Sequence, residues 1–166
     1  GSGSIVTVLA RLLADLSDFV LGEQVALAQA LLPPGRQAEA FLQAGFARLA
    51  QLIYMSRGLT RLPEPAGDEL CWPAFGAEDE PELARVIADT YVGSLDCPAM
   101  LGRRQMEDVM ASHKASGVFR RQSWWMPTLG GQAVGCVLMN GAAGEPDCAE
   151  VVYLGVRPAF RRRGFG

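Results

Sequence analysis

Apolar residues at helical spacing predict two helices in the first third of the chain. The first covers residues 5–16, where apolar side chains recur every three or four positions and Ser4 stands at the N-cap. The second covers residues 35–44, because Gly45 follows at the position where a left-handed glycine commonly ends a helix. We therefore expect a helical component before residue 46.

Two further segments of this region have patterns typical of strands. Residues 24–32 form a short apolar run that Pro33 and Pro34 stop, which favours a buried strand over a helix of that length. Residues 47–57 alternate their apolar side chains as a strand or hairpin does. Residues 59–70 then combine prolines, glycine and mixed charges, which is typical of a linker.

After the linker, strand and helix patterns follow one another. The clearest local feature is Gly130-Gly131, because two glycines between strand-like segments favour a two-residue hairpin turn. The predicted elements are, in chain order, a short strand at 71–75, helices at 80–91 and 104–114, strands at 123–129 and 132–140, a turn at 141–147 and a buried strand at 150–156. Together they predict a mixed α/β fold.

Composition and charge exclude several classes of function. Of the 166 residues, 49% are hydrophobic and 20% charged, which are ordinary globular proportions and exclude disorder and coiled coil. A formal net charge of -3 gives no general attraction for nucleic acid or an anionic membrane. No apolar run reaches the about 18 residues of a membrane span. We therefore expect a cytoplasmic protein without nucleic-acid or membrane partners.

Metal binding is not expected either. The cysteines contain no C-x-x-C pair, and His113 is the single histidine, so a Cys/His zinc set cannot be assembled. We expect reduced thiols. The four cysteines are Cys71, Cys97, Cys136 and Cys148.

The candidate chemistry lies in residues 157–166. The predicted strand at 150–156 leads into four arginines without an acidic residue, followed by Gly164 and Gly166. Guanidinium groups and bare backbone amides at such a turn suit a pyrophosphate, and glycine allows phosphate oxygens close to the backbone. The alternative is a solvated basic segment without a ligand.

This stretch resembles the acetyl-CoA signature of the GNAT acetyltransferase superfamily. The run from Tyr153 to Pro158, followed by Arg161, Gly164 and Gly166, is similar to the family's V-x-P and R/Q-x-x-G-x-G/A patterns. The resemblance implies acetyl-CoA as cosubstrate. The backbone of Tyr153, Leu154 and Val156 would hold the pantetheine arm, and the pyrophosphate would lie in a cradle of Arg161, Arg162, Arg163, Gly164, Phe165 and Gly166.

By the same resemblance, Glu150 is the candidate catalytic base. It lies six residues before Val156, similar to the strand glutamate by which several GNAT enzymes deprotonate an amine, usually through water. A solvated glutamate without a catalytic role is the alternative. No tyrosine occurs in residues 35–44, where the family's general acid would lie, so the general acid is unassigned.

The implied function is an N-acetyltransferase. It would transfer acetyl from acetyl-CoA to a small-molecule or peptide amine by direct attack in a ternary complex. The alternative is a non-catalytic GNAT-like module that binds CoA or serves as a packing partner. Glu150 separates the two, because a carboxylate that faces the cleft beside Val156 favours the enzyme and one turned into solvent favours the module.

The order of the parts predicts a tandem arrangement with a mycothiol-synthase-like layout. Residues 1–58 resemble the C-terminal half of a first GNAT repeat, residues 59–70 a linker, and residues 71–166 the N-terminal half of a second repeat ending in the pyrophosphate loop. We expect such a segment to pack against the rest of the tandem-GNAT chain and to have little activity alone. Two alternatives are that Gly1–Ser4 is an expression remnant and that the halves close as one permuted domain.

Overall fold

The computed structural model describes residues 2–23, 25, 27–33, 35, 37–60, 69–96, 98–100 and 102–166. The chain divides into two units, Gly1–Ile53 and Tyr54–Gly166, and each is described by itself. None of the helices within these described ranges has the length and apolar character needed to cross a bilayer.

Helices α1 (Ser2–Gly22) and α2 (Gln37–Gln43) form the regular structure of the first unit and pack against each other. Both predicted helices are formed, but α1 begins at Ser2, so the prediction of Ser4 as its N-cap is wrong. Helix α1 also continues past the predicted end at residue 16, and the hydroxyl of Ser17 donates to the carbonyl of Leu13 at 2.8 Å, which satisfies this polar side chain within the helix.

The end of α2 confirms the predicted role of Gly45. This glycine has a φ of 89°, and its N–H donates to the carbonyl of Leu42 at 3.1 Å. The N–H of Phe46 donates to the carbonyl of Phe41 at 3.0 Å, and the two phenyl rings meet edge to face with centroids 5.1 Å apart. These two backbone bonds and the apolar contact form a Schellman motif.

The two strands predicted over residues 24–32 and 47–57 are not formed. The described residues of the first segment, and all of residues 46–59, have no regular secondary structure. A strand satisfies its backbone only by pairing with a neighbour, and no described residue of these segments pairs in a sheet. An apolar pattern in one segment is therefore not enough to form a strand when no second segment pairs with it. Of the predicted linker, residues 61–68 lie outside the described residues.

The second unit contains helices α3 (Glu80–Tyr91) and α4 (Met106–Ala115). Helix α3 has the predicted bounds, and α4 begins two residues later than predicted. Lys114 and Arg121 donate to the carboxylate of Glu80 at 2.6 and 3.3 Å, which joins the start of α3 to the end of α4. The hydrogen bond from Lys114 is the main reason why the pKa of Glu80 lies below its usual value.

An antiparallel sheet with the order β1-β4-β5 and a separate β2-β3 hairpin complete this unit. The strands are β1 (Trp124–Trp125), β2 (Thr128–Leu129), β3 (Gln132–Ala133), β4 (Gly135–Ala142) and β5 (Glu145–Val156). Gly130 and Gly131 form the hairpin turn with φ values of 58° and 79°, the geometry that two-residue hairpins require. The predicted hairpin is confirmed.

Strand limits differ from the prediction in ways that the sequence explains. Residues 71–75 contribute one bridge, from Cys71 to Thr128, the strand at 123–129 is split into β1 and β2, and the turn at 141–147 contracts to Ala143-Gly144. Pro127 lies at the split and has no N–H to donate to a ladder. Gly144 has a φ of 79°, which allows the tight turn and lengthens both flanking strands.

The prediction of a buried strand at 150–156 is correct for its secondary structure and wrong for its burial. Val151 and Leu154 are 60% and 52% exposed. Within the described part of the chain β5 pairs with β4 alone, so it is an edge strand. An apolar strand pattern does not reveal on how many sides the strand has neighbours.

The core of the second unit lies between its helices and the sheet. It contains Phe75, Leu83, Val86, Ile87, Val109, Met110, Trp124, Met126, Cys136 and Leu138. Trp124 is fully buried and Trp125 half-buried, as the alternation of side chains along a strand requires. Burial raises the pKa of the Cys136 thiol to about 12, so this cysteine packs as a small apolar residue.

One polar side chain, Asn140 of β4, lies inside this core with 1% of its surface exposed. Its Oδ1 accepts a hydrogen bond from the indole of Trp124 at 2.9 Å. Its Nδ2 donates to the carbonyls of His113 and Ser116 at 2.8 and 2.6 Å. Asn140 thereby fixes β1 and the end of α4 to the middle of the sheet.

Replacing Asn140 with Leu is expected to lower the free energy of unfolding by about 3 kcal/mol, because the indole N–H and two carbonyls lose their partner. All three tryptophans lie in the second unit, so tryptophan fluorescence during urea unfolding reports on this unit. Val151→Thr, which changes an exposed side chain on the neighbouring strand, is the control and should leave the free energy of unfolding nearly unchanged. A loss below about 1 kcal/mol in Asn140→Leu would show that these bonds do not stabilise the unit.

Candidate functional site at the end of strand β5

The outer edge of β5 presents unpaired backbone groups near its end. The N–H of Arg157 donates to the carbonyl of Val134 at 2.9 Å, on the β4 side. Because backbone groups alternate sides along a strand, those of Leu154 and Val156 point to the outer edge and those of Tyr153 point to β4. The carbonyl of Val156 accepts from Arg161 at 3.0 Å, consistent with this direction. The N–H and C=O of Leu154 and the N–H of Val156 therefore face an edge without a strand among the described residues.

The chain after β5 has the backbone conformation expected of an anion-binding loop. Residues Pro158–Phe160 form one turn of 3-10 helix, and Arg162 and Gly164 then adopt positive φ values of 61° and 82°. Left-handed residues in such a loop turn consecutive backbone N–H groups toward one side. A Cβ built on Gly164 meets no atom within 4 Å, so the space above this glycine is open.

The three successive arginines have three different environments. The guanidinium of Arg161 donates to three backbone carbonyls of Thr90, Val92 and Val156. The guanidinium of Arg163 lies between the rings of Phe160 and Phe165, 5.7 and 5.4 Å from their centroids. Arg162 is exposed and makes no hydrogen bond or ion pair with a described residue.

A fourth arginine, Arg157, also makes its polar contacts within the second unit. It makes an ion pair with Asp89 of α3 at 2.7 Å and donates to the carbonyl of Ala133 at 3.2 Å. Of the guanidinium groups that the sequence collects in this region, those of Arg162 and Arg163 are exposed and make no hydrogen bond or ion pair with a described residue, and Arg162 is the one that also has no aromatic contact.

The side chain of Tyr153 joins β5 to the last turn of α3. Its hydroxyl lies 2.6 Å from Oγ1 of Thr90, which donates its own hydrogen to the carbonyl of Ile87 at 2.6 Å. Because the threonine hydroxyl has one hydrogen, Tyr153 is the donor in the shared bond. Burial is the main cause that raises the pKa of Tyr153 to about 12, so its hydroxyl stays protonated at neutral pH.

The imidazole ring of His113 packs against the ring of Tyr153, with ring centroids 5.2 Å apart. Its Nε2 is buried and has no hydrogen-bond partner among the described residues. Burial, assisted by the positive charge of Arg104, lowers the pKa of His113 below its usual value, so the imidazole is neutral at pH 7. Tyr91 completes the cluster, edge to face with Tyr153 at 5.9 Å.

Glu150 lies near the middle of β5, six residues before Val156. It is exposed, and its carboxylate makes no hydrogen bond or ion pair with a described residue. Its backbone is opposite that of Asn140, so its side chain starts on the helix-facing side of the sheet. The register shift between Leu138 and Met139 leaves Val152 as an extra residue of β5, a bulge between Glu150 and the loop.

Sequence reasoning did not find the roles of Thr90 and Asn140. A signal for Asn140 exists, because Cys136, Leu138 and Asn140 alternate on the buried face of one strand and an amide at such a position needs internal partners. Thr90 gives no comparable signal, since its contacts depend on how α3 lies against β5. In the part of the chain that the structure describes, no group of three or more His, Cys, Asp or Glu is placed to hold a metal ion.

A model of a known protein family matches the second half of the chain. Residues 87–166 match the family model described as the acetyltransferase (GNAT) family. The matched segment runs from the last part of α3 through all five strands to the loop after β5. A comparison with curated proteins gives no significant match. The family match supports an acetyltransferase activity in general terms, and with the mixed α/β architecture it supports the assignment of residues 87–166 to the GNAT acetyltransferase superfamily.

Proposed function

We propose that the second unit binds acetyl-CoA along the outer edge of β5 and in the loop 161–166, and that it transfers the acetyl group to an amine. One observation carries the proposal. An unpaired strand edge runs directly into a loop with two left-handed residues and an exposed arginine. The family match over the same residues supports it.

The strand edge suits the pantetheine arm, which contains two amide groups. The N–H and C=O of Leu154 and the N–H of Val156 face outward and can pair with amides as a neighbouring strand would. The backbone of Tyr153 faces β4, so of the three residues predicted to contact the arm, Leu154 and Val156 are the ones whose backbone we assign to it.

The loop suits the pyrophosphate. Backbone N–H groups around Arg162 and Gly164 would supply hydrogen bonds, and the free guanidinium of Arg162 would supply positive charge. Arg163 contributes through packing, since its side chain lies against Phe160 and Phe165. The backbone of Gly166 lies close to the side chain of Val156, because a Cβ on Gly166 would be 3.5 Å from Cγ2 of that valine, so the loop stays near the end of β5.

The length of the pantetheine arm would place the thioester carbonyl near the bulge of β5. The arm from phosphate to sulfur has about twelve bonds, equal to about four residues of backbone or about 14 Å when extended. Measured back from Val156, this length ends near Val152. Glu150 lies two residues further, about 7 Å along the strand, a gap that its side chain and one water molecule can span.

Acetyl-CoA supplies an activated thioester. In this proposal Glu150 accepts a proton from the acceptor ammonium through water, which leaves a neutral amine to attack the carbonyl carbon. The nitrogen forms a bond to the carbonyl carbon, and the C–S bond then breaks with its electron pair on sulfur. The extra proton on the nitrogen is lost and the thiolate gains one, so the products are the amide and the free CoA thiol. The general acid that protonates the thiolate is not assigned to a residue of this chain.

A second candidate function is favoured by the exposure of Glu150. A base without contacts to described residues is also what a non-catalytic module would show. In that case the strand edge and loop bind CoA or acetyl-CoA and no transfer follows. The two candidates share the binding site and differ in turnover.

We also propose that residues 1–58 and 71–166 derive from two successive GNAT repeats and pack against the rest of a tandem chain. The division into units at Ile53 and Tyr54, five residues from residue 58, supports this layout. The acceptor is then a small-molecule or peptide amine that the other parts help to bind.

Gly164→Ala is expected to weaken acetyl-CoA binding about tenfold, because alanine at a φ of 82° strains the loop and its methyl group occupies the open space above it. Gly144→Ala is the matched control, with a φ of 79° and no atom within 4 Å of its Cβ, in a turn outside the site. Both variants should lose about 1 kcal/mol of stability. Isothermal titration calorimetry that shows equal affinities for the two variants would contradict the site.

In the complete tandem protein, Glu150→Gln is expected to lower turnover at saturating acetyl-CoA at least tenfold and to leave acetyl-CoA affinity unchanged, as for a base that acts on the acceptor. Release of free thiol in the presence of an amine measures turnover. Glu145→Gln is the control, since Glu145 is exposed on the same strand. Equal turnover of both variants across pH would remove Glu150 from the mechanism.

A further inference from the structure

We propose that Arg161 is a positioning residue, which holds the phosphate loop against the end of α3 and is not itself a phosphate ligand. The inference rests on the proposed acetyl-CoA site, and it changes the role that the sequence pattern implies for this arginine. The evidence is the distribution of its hydrogen bonds.

The guanidinium of Arg161 donates in three directions to backbone carbonyls. Nε donates to Val156 at 3.0 Å, Nη1 to Val92 at 2.8 Å and Nη2 to Thr90 at 2.7 Å. Thr90 and Val92 flank the last residue of α3, where carbonyls lack partners within the helix and the helix dipole favours a positive charge. One planar fork thus joins the end of α3 to the end of β5.

The residues around this joint, by which we mean the three hydrogen bonds of Arg161 between α3 and β5, pack closely. The hydroxyl of Thr90 binds Tyr153 on β5 at 2.6 Å, so the same residue contacts the strand through its side chain and Arg161 through its carbonyl. A Cβ on Gly155 would lie 2.8 Å from Oγ1 of Thr90, so glycine is needed for α3 to approach β5 this closely. Gly93, with a φ of 62°, turns the chain directly beside Nη1 of Arg161.

These bonds leave Arg161 poorly suited to contact a phosphate. A guanidinium that turned toward a ligand would break these three hydrogen bonds, two of them part-buried, and would release the end of α3 from the end of β5. Arg162, its neighbour, is exposed and has no such commitments among the described residues. The ligand therefore gains the charge of Arg162, while Arg161 keeps the loop in position.

The hydrogen bonds of Arg161 should also stabilise the segment directly after α3. The N–H groups of Val92 and Ser94 donate to Asp89 and Tyr91 at 3.1 Å, and these bonds close the last turn of the helix. If Arg161 holds this turn, removing its fork loosens those two amides as well as the loop. A direct phosphate ligand would have no effect on them in the ligand-free protein.

The test compares Arg161→Lys with Arg162→Gln in the full chain. Arg161→Lys keeps the charge and loses the three-way fork. We expect it to accelerate hydrogen exchange at the amides of Val92 and Ser94 at least tenfold without ligand, and to weaken acetyl-CoA binding about tenfold. Arg162→Gln should weaken binding and leave exchange at those amides unchanged. Tryptophan fluorescence confirms that each variant is folded, and Arg161→Gln replaces Arg161→Lys if the latter is not.

Unchanged exchange at Val92 and Ser94 in the Arg161 variant would overturn the proposal, whatever its affinity. Accelerated exchange in a chain that does not bind acetyl-CoA would support the joint and refute the proposed function instead. The exchange measurement without ligand and the binding measurement therefore separate the two failures.

Discussion

The antiparallel pairing of β4 with β5 is the interaction on which the second unit depends. On the β4 side, Asn140 fixes the end of α4 and the indole of Trp124 to the sheet. On the β5 side, Tyr153 and the residues after the strand fix the end of α3. The two helices that cover the core are thus held at their C-terminal ends by polar contacts from two neighbouring strands.

The same pairing creates the candidate site, because it satisfies β5 on one side only. Among the described residues no strand covers the outer N–H and C=O of Leu154 or the N–H of Val156, whereas the C=O of Val156 accepts from Arg161. The strand then leads into a loop whose three arginines make different contacts. A basic cluster in a sequence suggests that every guanidinium contacts the anion. Here Arg161 joins a helix to a strand, Arg163 packs against two aromatic rings, and Arg162 is exposed without a hydrogen bond or ion pair to a described residue.

Local chemistry decides which parts of this structure the sequence can predict. The hairpin at Gly130-Gly131 and the end of α2 at Gly45 follow from the backbone freedom of glycine, so their position is evident without tertiary contacts. The strands predicted over residues 24–32 and 47–57 fail because pairing is a property of two segments, and a pattern in one segment cannot supply the second. The role of Arg161 could not be predicted for a related reason, since carbonyls of a helix about 70 residues earlier determine it.

We propose above that the outer edge of β5 and the loop after it form one acetyl-CoA site. The most direct test is an NMR titration of the ¹⁵N-labelled chain with acetyl-CoA, which follows each backbone amide. If the edge and the loop are one site, we expect saturable shifts of the amides of Leu154, Val156, Gly164 and Gly166, all with one dissociation constant. Saturation with acetyl-CoA that leaves these four amides unmoved, or that moves only amides elsewhere, would contradict it.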